Sequence, residues 1–191
     1  MRDAAYFVVS LGVFLLPASI AFRRAKTELE VNQRISMATF SAALFAYTAL
    51  AGGIVLNSWL NAWPLPIIKW ISRTSGAALL LAGAIIYLTA RWQLRSFRQT
   101  WALETNTLVT WGIYRLLRHP QNVGWGFLLA GVALLGRSGA ALALIAVYVV
   151  TSMIWLPIEE AFLERRFGSS YNEYRRHTPD LFTLPRDRKT N

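Results

Sequence analysis

Long uncharged stretches, each close to the length of a bilayer crossing, alternate with short charged ones along this chain. Residues 4–22 run uncharged from Asp3 to Arg23, and 35–63 lie uncharged between Arg34 and Lys69. Residues 74–90 run from Arg73 to Arg91, 120–136 from His119 to Arg137, and 138–158 from Arg137 to Glu159. A hydrocarbon core about 30 Å thick needs roughly 17–25 apolar residues in a helix, and backbone groups inside it find no water, so each stretch is expected to be helical. The pattern predicts an all-α, polytopic membrane protein with about five transmembrane helices. Only Gly136-Arg137-Ser138-Gly139 joins the last two, which makes 120–158 an antiparallel hairpin. Gly124, Gly126, Ala130, Gly131 and Ala133, with Ala140, Ala141 and Ala143, are expected to let its two helices approach closely.

Charge sets the expected orientation. Five crossings place Arg2, Lys69, Arg73 and Arg137 on one side and the other 16 of the 20 Lys and Arg on the opposite side. The positive-inside rule puts the richer side in the cytoplasm, with the N-terminus outside and the C-terminus cytoplasmic. The expected location is a bacterial-type inner (cytoplasmic) membrane. Trp59, Trp63 and Trp70 then fall near the outer interface, where aromatic belts form. The first stretch has the length of a cleaved export signal. However, Arg23, Arg24 and Lys26 follow it while Arg2 alone precedes it, so it is expected to be a retained helix. Residues 1–90 thus hold three N-terminal helices. Residues 91–191 hold a cytoplasmic loop, the hairpin and a cytoplasmic tail, and form the expected catalytic region.

Composition narrows the chemistry. Hydrophobic residues make up 54% and charged ones 16%, against about 45–50% and 25% in soluble domains. The net charge of +10 lies in short clusters between apolar runs, which fits a membrane flank and not a nucleic-acid partner. With no cysteine and two histidines, disulfides and thiolate catalysis are excluded and a metal site is not expected. Residues 91–119 and 159–191 together are too short for a separate nucleotide-binding domain of about 100–150 residues. Neither G-x-G-x-x-G nor a P-loop occurs. Any cofactor must be held between loop, tail and helix ends.

Two charged clusters remain. Arg118-His119-Pro120 is either a basic flank followed by proline in a helical first turn, or a site where a cation and a helix N-terminus take an anion. Glu159-Glu160 is either solvated headgroup-level charge or a clamp for a cation, with Pro157 expected to open the helix just before it. The hairpin brings the two clusters to one end. Together they complement a zwitterionic amino-acid end group such as that of S-adenosylmethionine. Trp101, Trp111, Tyr114 and Trp125 are candidates for stacking on an adenine or facing a sulfonium.

The run Asn106-Thr107-Leu108-Val109-Thr110, then Gly112-Ile113-Tyr114, then Arg118-His119-Pro120 and Gly124-Trp125, resembles the signature of isoprenylcysteine carboxyl methyltransferases. Glu159-Glu160, Leu163, Phe167-Gly168, Tyr171, Tyr174 and Pro179 resemble the same family's C-terminal half, within a wider group that includes phospholipid N-methyltransferases. The resemblance covers about residues 100–185. It implies an integral membrane methyltransferase using S-adenosyl-L-methionine without a Rossmann domain. The cofactor would contact Asn106, Thr107, Leu108, Val109, Tyr114, His119, Pro120, Gln121, Asn122 and Glu159, with Arg118 and Glu160 completing the charged ends. The family usually has Tyr where Asn122 stands, and an Arg gripping a substrate carboxylate where Trp155 stands. Trp155 is therefore expected to face an apolar or cationic acceptor that enters from the bilayer. No residue is identified as a catalytic base. Two other readings stay open: an NADPH-dependent sterol-type reductase, which also carries Arg-His-Pro, and a non-catalytic lipid-binding protein. Residues 162–174 are expected to form a cytoplasmic helix interrupted at Gly168.

Overall fold

The computed structural model describes residues 2–32, 34–94 and 107–180. Six α-helices appear among them: α1 (Arg2–Val31), α2 (Met37–Trp59), α3 (Lys69–Gln93), α4 (Pro120–Leu135), α5 (Gly139–Phe167) and α6 (Ser169–His177). A single 3-10 turn, Gly112–Arg115, precedes α4. The described residues contain no strand, only an isolated bridge between Pro64 and Ser138. Helices α1, α2, α3 and α5 have 30, 23, 25 and 29 residues and are long and apolar enough to cross a membrane. Helix α4, with 16 residues, rises about 24 Å and is the short member. The chain is an all-α, polytopic membrane protein.

Contacts at the helix ends show how the elements alternate. The Asp3 carboxylate accepts the Trp63 N–H at 3.2 Å, and the rings of Phe7 and Trp63 lie 4.9 Å apart. Leu65 N–H donates to the Arg137 carbonyl at 2.8 Å, and Ser138 Oγ donates to the Ala62 carbonyl at 2.7 Å. The start of α1, the α2–α3 loop and the hairpin turn therefore share one end. Residues 107–119 and the segment after Ile158 gather at the other. Between the ends, Phe14, Leu50, Ile54, Leu144 and Tyr148 form a buried apolar core.

Several helices outrun the apolar stretches. Helix α1 continues past Arg23 to Val31 because Ala25 and Leu29 pack on Ile35, Phe40 and Phe162. Glu28, on that extension, accepts from Ser36 N–H at 2.7 Å and from the hydroxyls of Ser36 and Thr39, both at 2.8 Å, fixing the start of α2. Helix α5 likewise runs unbroken through Pro157 to Phe167. The expected opening before Glu159 does not occur. Proline removes one backbone bond, and Leu156 and Phe162, both buried on either side of it, keep the helix packed. Gly168, at φ 54°, ends α5 and starts α6, so the break expected there is present.

The glycines of the hairpin pack differently from expectation. A Cβ on Gly124 would lie 2.7 Å from Tyr87 N, and one on Gly131 would lie 2.8 Å from the Gly76 carbonyl, so both face α3. Gly76 and Gly83 of α3 make the reciprocal approach. Two antiparallel helices with glycines seven residues apart thus meet backbone to backbone, and α3 packs chiefly on α4. Only Gly126 turns toward α5, against the Tyr148 ring.

Candidate active site

The loop entering α4 is pinned before it delivers its charges. Gly112 adopts φ 64°, and a Cβ there would overlap the Gln93 side chain, so only glycine fits. Gln93 accepts the Ile113 N–H at 3.0 Å, and the Tyr114 hydroxyl reaches the Ala90 carbonyl at 3.5 Å. Those bonds tie the 3-10 turn to the end of α3. The chain then reaches His119, the N-cap of α4, with Pro120 in the first turn where its missing N–H costs nothing. Arg118 and His119 are consequently buried at the start of a helix.

Helix α5 brings two carboxylates to the same place. His119 Nδ1 lies 4.0 Å from a Glu159 oxygen, and His119 Nε2 lies 3.2 Å from Glu160 Oε1. Arg118 Nη2 is 3.1 Å from that same Glu160 oxygen and 3.7 Å from Asp180. Two hydrogen bonds and one buried ring hold the tail there. Arg118 N–H donates to the Pro179 carbonyl at 3.2 Å, Tyr174 donates its hydroxyl proton to the Tyr114 carbonyl at 2.7 Å, and Tyr171 is buried. Burial works against a charge on His119. The hydrogen bond to Glu160 and the charges of Glu159 and Asp180 outweigh it and hold the pKa above the usual 6.5. Burial raises the Tyr114 hydroxyl well above its ordinary range, so it stays protonated.

Beside these charges lies a cavity of about 300 Å³, at the small end for ligand sites. Arg118, His119, Gln121, Asn122 and Glu159 line its charged end. Tyr148 also lines it, 11 residues before Glu159 on α5 and so about 16 Å deeper along the helix. Tyr148 is buried there. Its hydroxyl donates to the Asn122 carbonyl at 2.8 Å, and its ring meets Tyr47 edge-on at 6.2 Å. Leu44 and Thr48 of α2 line the cavity and are also exposed on the helix surface, giving it an opening on the flank of the bundle.

Most of the expected site residues meet at this cavity. Leu108, Val109, Tyr114, Arg118, His119, Pro120, Gln121, Asn122, Trp155 and Glu159 all line it. Thr107 is exposed and does not line it, Glu160 stands behind it, and Asn106 and Trp101 lie outside the described residues. Of the proposed stacking residues, Tyr114 and Trp125 line the cavity, whereas Trp111 faces outward. The two charged clusters also pair with each other, Glu160 with Arg118 and His119, and Glu159 with His119. Sequence reasoning missed Tyr47, Thr48, Tyr87 and Tyr148 in the lining, and Asp180 on Arg118. Tyrosines inside apolar runs were a usable signal for Tyr47, Tyr87 and Tyr148. Asp180, one of several acids scattered through a basic tail, offered none.

The donor set fits a zwitterionic ligand. A buried cation pair and a carboxylate stand at one end, and the Gln121 Nε2 is buried without a hydrogen-bond partner among the described residues. Such a donor awaits an acceptor. No group of three metal-ligating side chains occurs among the described residues.

An α-helical membrane bundle with a charged, aromatic-lined cavity between its helix ends defines the structural class. Residues 71–170 match the phospholipid methyltransferase family, and the chain belongs to it. It is 30% identical over 144 residues to the human protein-S-isoprenylcysteine O-methyltransferase, covering 65% of this chain and 48% of that one. The mouse protein of that name is 29% identical over 141 residues, with the same coverage. The Schizosaccharomyces pombe protein is 33% identical over 150 residues, covering 71% of this chain and 61% of its own. The chain thus spans about half the length of the mammalian relatives it matches. No solved structure matches.

Proposed function

We propose that this chain is an integral membrane methyltransferase that takes its methyl group from S-adenosyl-L-methionine and transfers it to a small lipophilic acceptor. One observation carries the reading: His119 and Glu159, 40 positions apart, lie 4.0 Å from each other at the charged end of a cavity otherwise lined largely by apolar and tyrosine side chains. Arg118 and His119 supply positive charge for a carboxylate, and Glu159 supplies negative charge for an ammonium or sulfonium. Tyr114, Trp125 and the other lining aromatics offer π-faces to a cationic or planar group. The family match and the relatives' printed names favour this reading over the reductase and the lipid-binding protein.

When bound, the donor supplies a methyl carbon already activated by its sulfonium. The protein's part is then mainly alignment, which can supply about 7–11 kcal/mol. Arg118, His119 and Glu159 hold one end of the cavity, while Tyr47 and Tyr148 also line it. Tyr174 and the 178–180 segment cover the charged end and limit water, which favours reaction where charge disappears. The opening beside Leu44 and Thr48 faces what would be lipid, and an apolar acceptor enters there. The positive-inside bias supports a charged end at the cytoplasmic face, in a bacterial-type inner membrane, where the water-soluble donor is available. Trp155, one helical turn before Glu159 on α5, is the lining residue that meets the acceptor.

The test is transfer of a radiolabelled methyl group from S-adenosyl-L-methionine into a total lipid extract by the purified chain in nanodiscs. Label in an organic-soluble product that His119→Ala abolishes supports the reading. Absence of both label and donor binding overturns it.

A further inference from the structure

Adjacent carboxylates on one helix end do different work here. Glu159 faces the cavity, whereas Glu160, turned about 100° further round α5, does not line it. A single oxygen of Glu160 serves two neighbours. Its Oε1 lies 3.1 Å from Arg118 Nη2 and 3.2 Å from His119 Nε2. All three side chains are largely buried, at 14%, 6% and 5% exposure for Glu160, Arg118 and His119. Breaking such a group leaves charge uncompensated in a poor solvent for it.

An imidazole has two distinct nitrogens, and the bond made by one decides where the other points. With Nε2 fixed on Glu160, Nδ1 is left toward Glu159 at 4.0 Å, on the cavity side. We propose that Glu160 is a positioning residue: its Oε1 sets Arg118 and His119 against the cavity and does not itself touch the methyl donor. The inference rests on reading the cavity as the donor site. Asp180, from the tail, braces the far side of Arg118 at 3.7 Å. The charged groups facing His119 are Glu159 and Glu160 from α5, Asp180 from the tail and Arg118 beside it, with Arg175 of α6 acting on Glu160. Among these, the Glu160 hydrogen bond does most to keep the ring charged against its burial.

Glutamine at position 160 can leave an oxygen where Oε1 stands, so it keeps both bonds and drops the charge. Alanine loses both. The experiment titrates S-adenosyl-L-homocysteine calorimetrically into the full chain in nanodiscs, as wild type, Glu160→Gln and Glu160→Ala. In parallel, ¹⁵N spectra are recorded in a His177→Ala background, which leaves one of the two imidazoles. Glu160→Gln should bind within about threefold of wild type and Glu160→Ala about tenfold more weakly, the cost of a lost bond to a charged group. Followed across pH, the His119 ring should lose its proton at lower pH in Glu160→Ala than in wild type, with or without ligand. Glutamine as weak as alanine would mean that Glu160 contacts the donor's charge directly and would overturn the proposal. So would unchanged affinity, or an unchanged ring titration, in Glu160→Ala. If the wild type binds nothing, the donor-site reading fails, and the ring titration alone then decides the role of Glu160.

Discussion

Replacing Gly124 with alanine should loosen the bundle and damage the cavity at once. The added Cβ would stand 2.7 Å from Tyr87 N and 3.0 Å from the Gly83 carbonyl, both backbone atoms of α3 that cannot rotate away. Ordinary contact begins near 3.4 Å, so the helices must part by about 0.7 Å, enough to forfeit much of the dispersion attraction along their seam. Overpacking of this kind costs about 1–3 kcal/mol. A helical Gly→Ala change returns roughly 0.5–1 kcal/mol of backbone entropy, leaving a net loss of up to about 2.5 kcal/mol. Gly52→Ala is the matched control, because its Cβ meets nothing within 4 Å; that variant should be neutral or slightly more stable. Reversible unfolding in detergent, followed by tryptophan fluorescence, gives the comparison. Tyr87 lines the cavity and its ring lies 5.8 Å from Trp125, so Gly124→Ala should also weaken S-adenosyl-L-homocysteine binding, and Gly52→Ala should not. Equal stability of the two variants would refute the backbone-to-backbone account of α3 and α4.

Three further outcomes follow. The folded-state pKa of His119 is raised, so its contribution to stability is fully present below about pH 6.5 and fades as pH rises through the higher folded value. The stability difference between wild type and His119→Gln should therefore shrink on going alkaline, and a difference that grows would contradict the assigned ion pairs. Thr48→Trp, at the exposed flank of the cavity, should raise KM for the lipophilic acceptor while leaving S-adenosyl-L-homocysteine affinity within about twofold; loss of donor binding instead would place the opening elsewhere. Tyr148→Phe removes one hydrogen bond but keeps the buried ring, so unfolding free energy should fall by only about 1 kcal/mol. A loss of several kcal/mol would mean that Tyr148 does more than the single bond to Asn122.

Spacing of charges along the chain was enough to read five apolar helices, the hairpin and the meeting of Arg118-His119 with Glu159-Glu160, because these are local properties of apolar runs and a short turn. Helix ends were less legible. Glu28 and Leu29 prolong α1 through contacts to Ser36, Thr39 and Phe162, and no local pattern announces such long-range support. The hairpin glycines were assigned to the wrong neighbour for the same reason. Small residues reveal that a helix is approached closely, but Gly124 and Gly131 carry no mark that the approaching helix is α3. In the site, opposite charges near one another were read as two jaws. Once buried together they satisfy each other, so Glu160 and Asp180 hold Arg118 and His119 while Glu159 faces the cavity.

A double-mutant cycle on S-adenosyl-L-homocysteine affinity, with His119→Ala, Glu159→Gln and the pair, most directly probes whether both side chains act on one bound molecule. Independent sites add to within about 0.3–0.5 kcal/mol. Convergence at 4.0 Å predicts that each single change weakens binding and that the pair departs from additivity by more than that margin. Strict additivity, or affinity untouched by either change, would contradict a shared pocket.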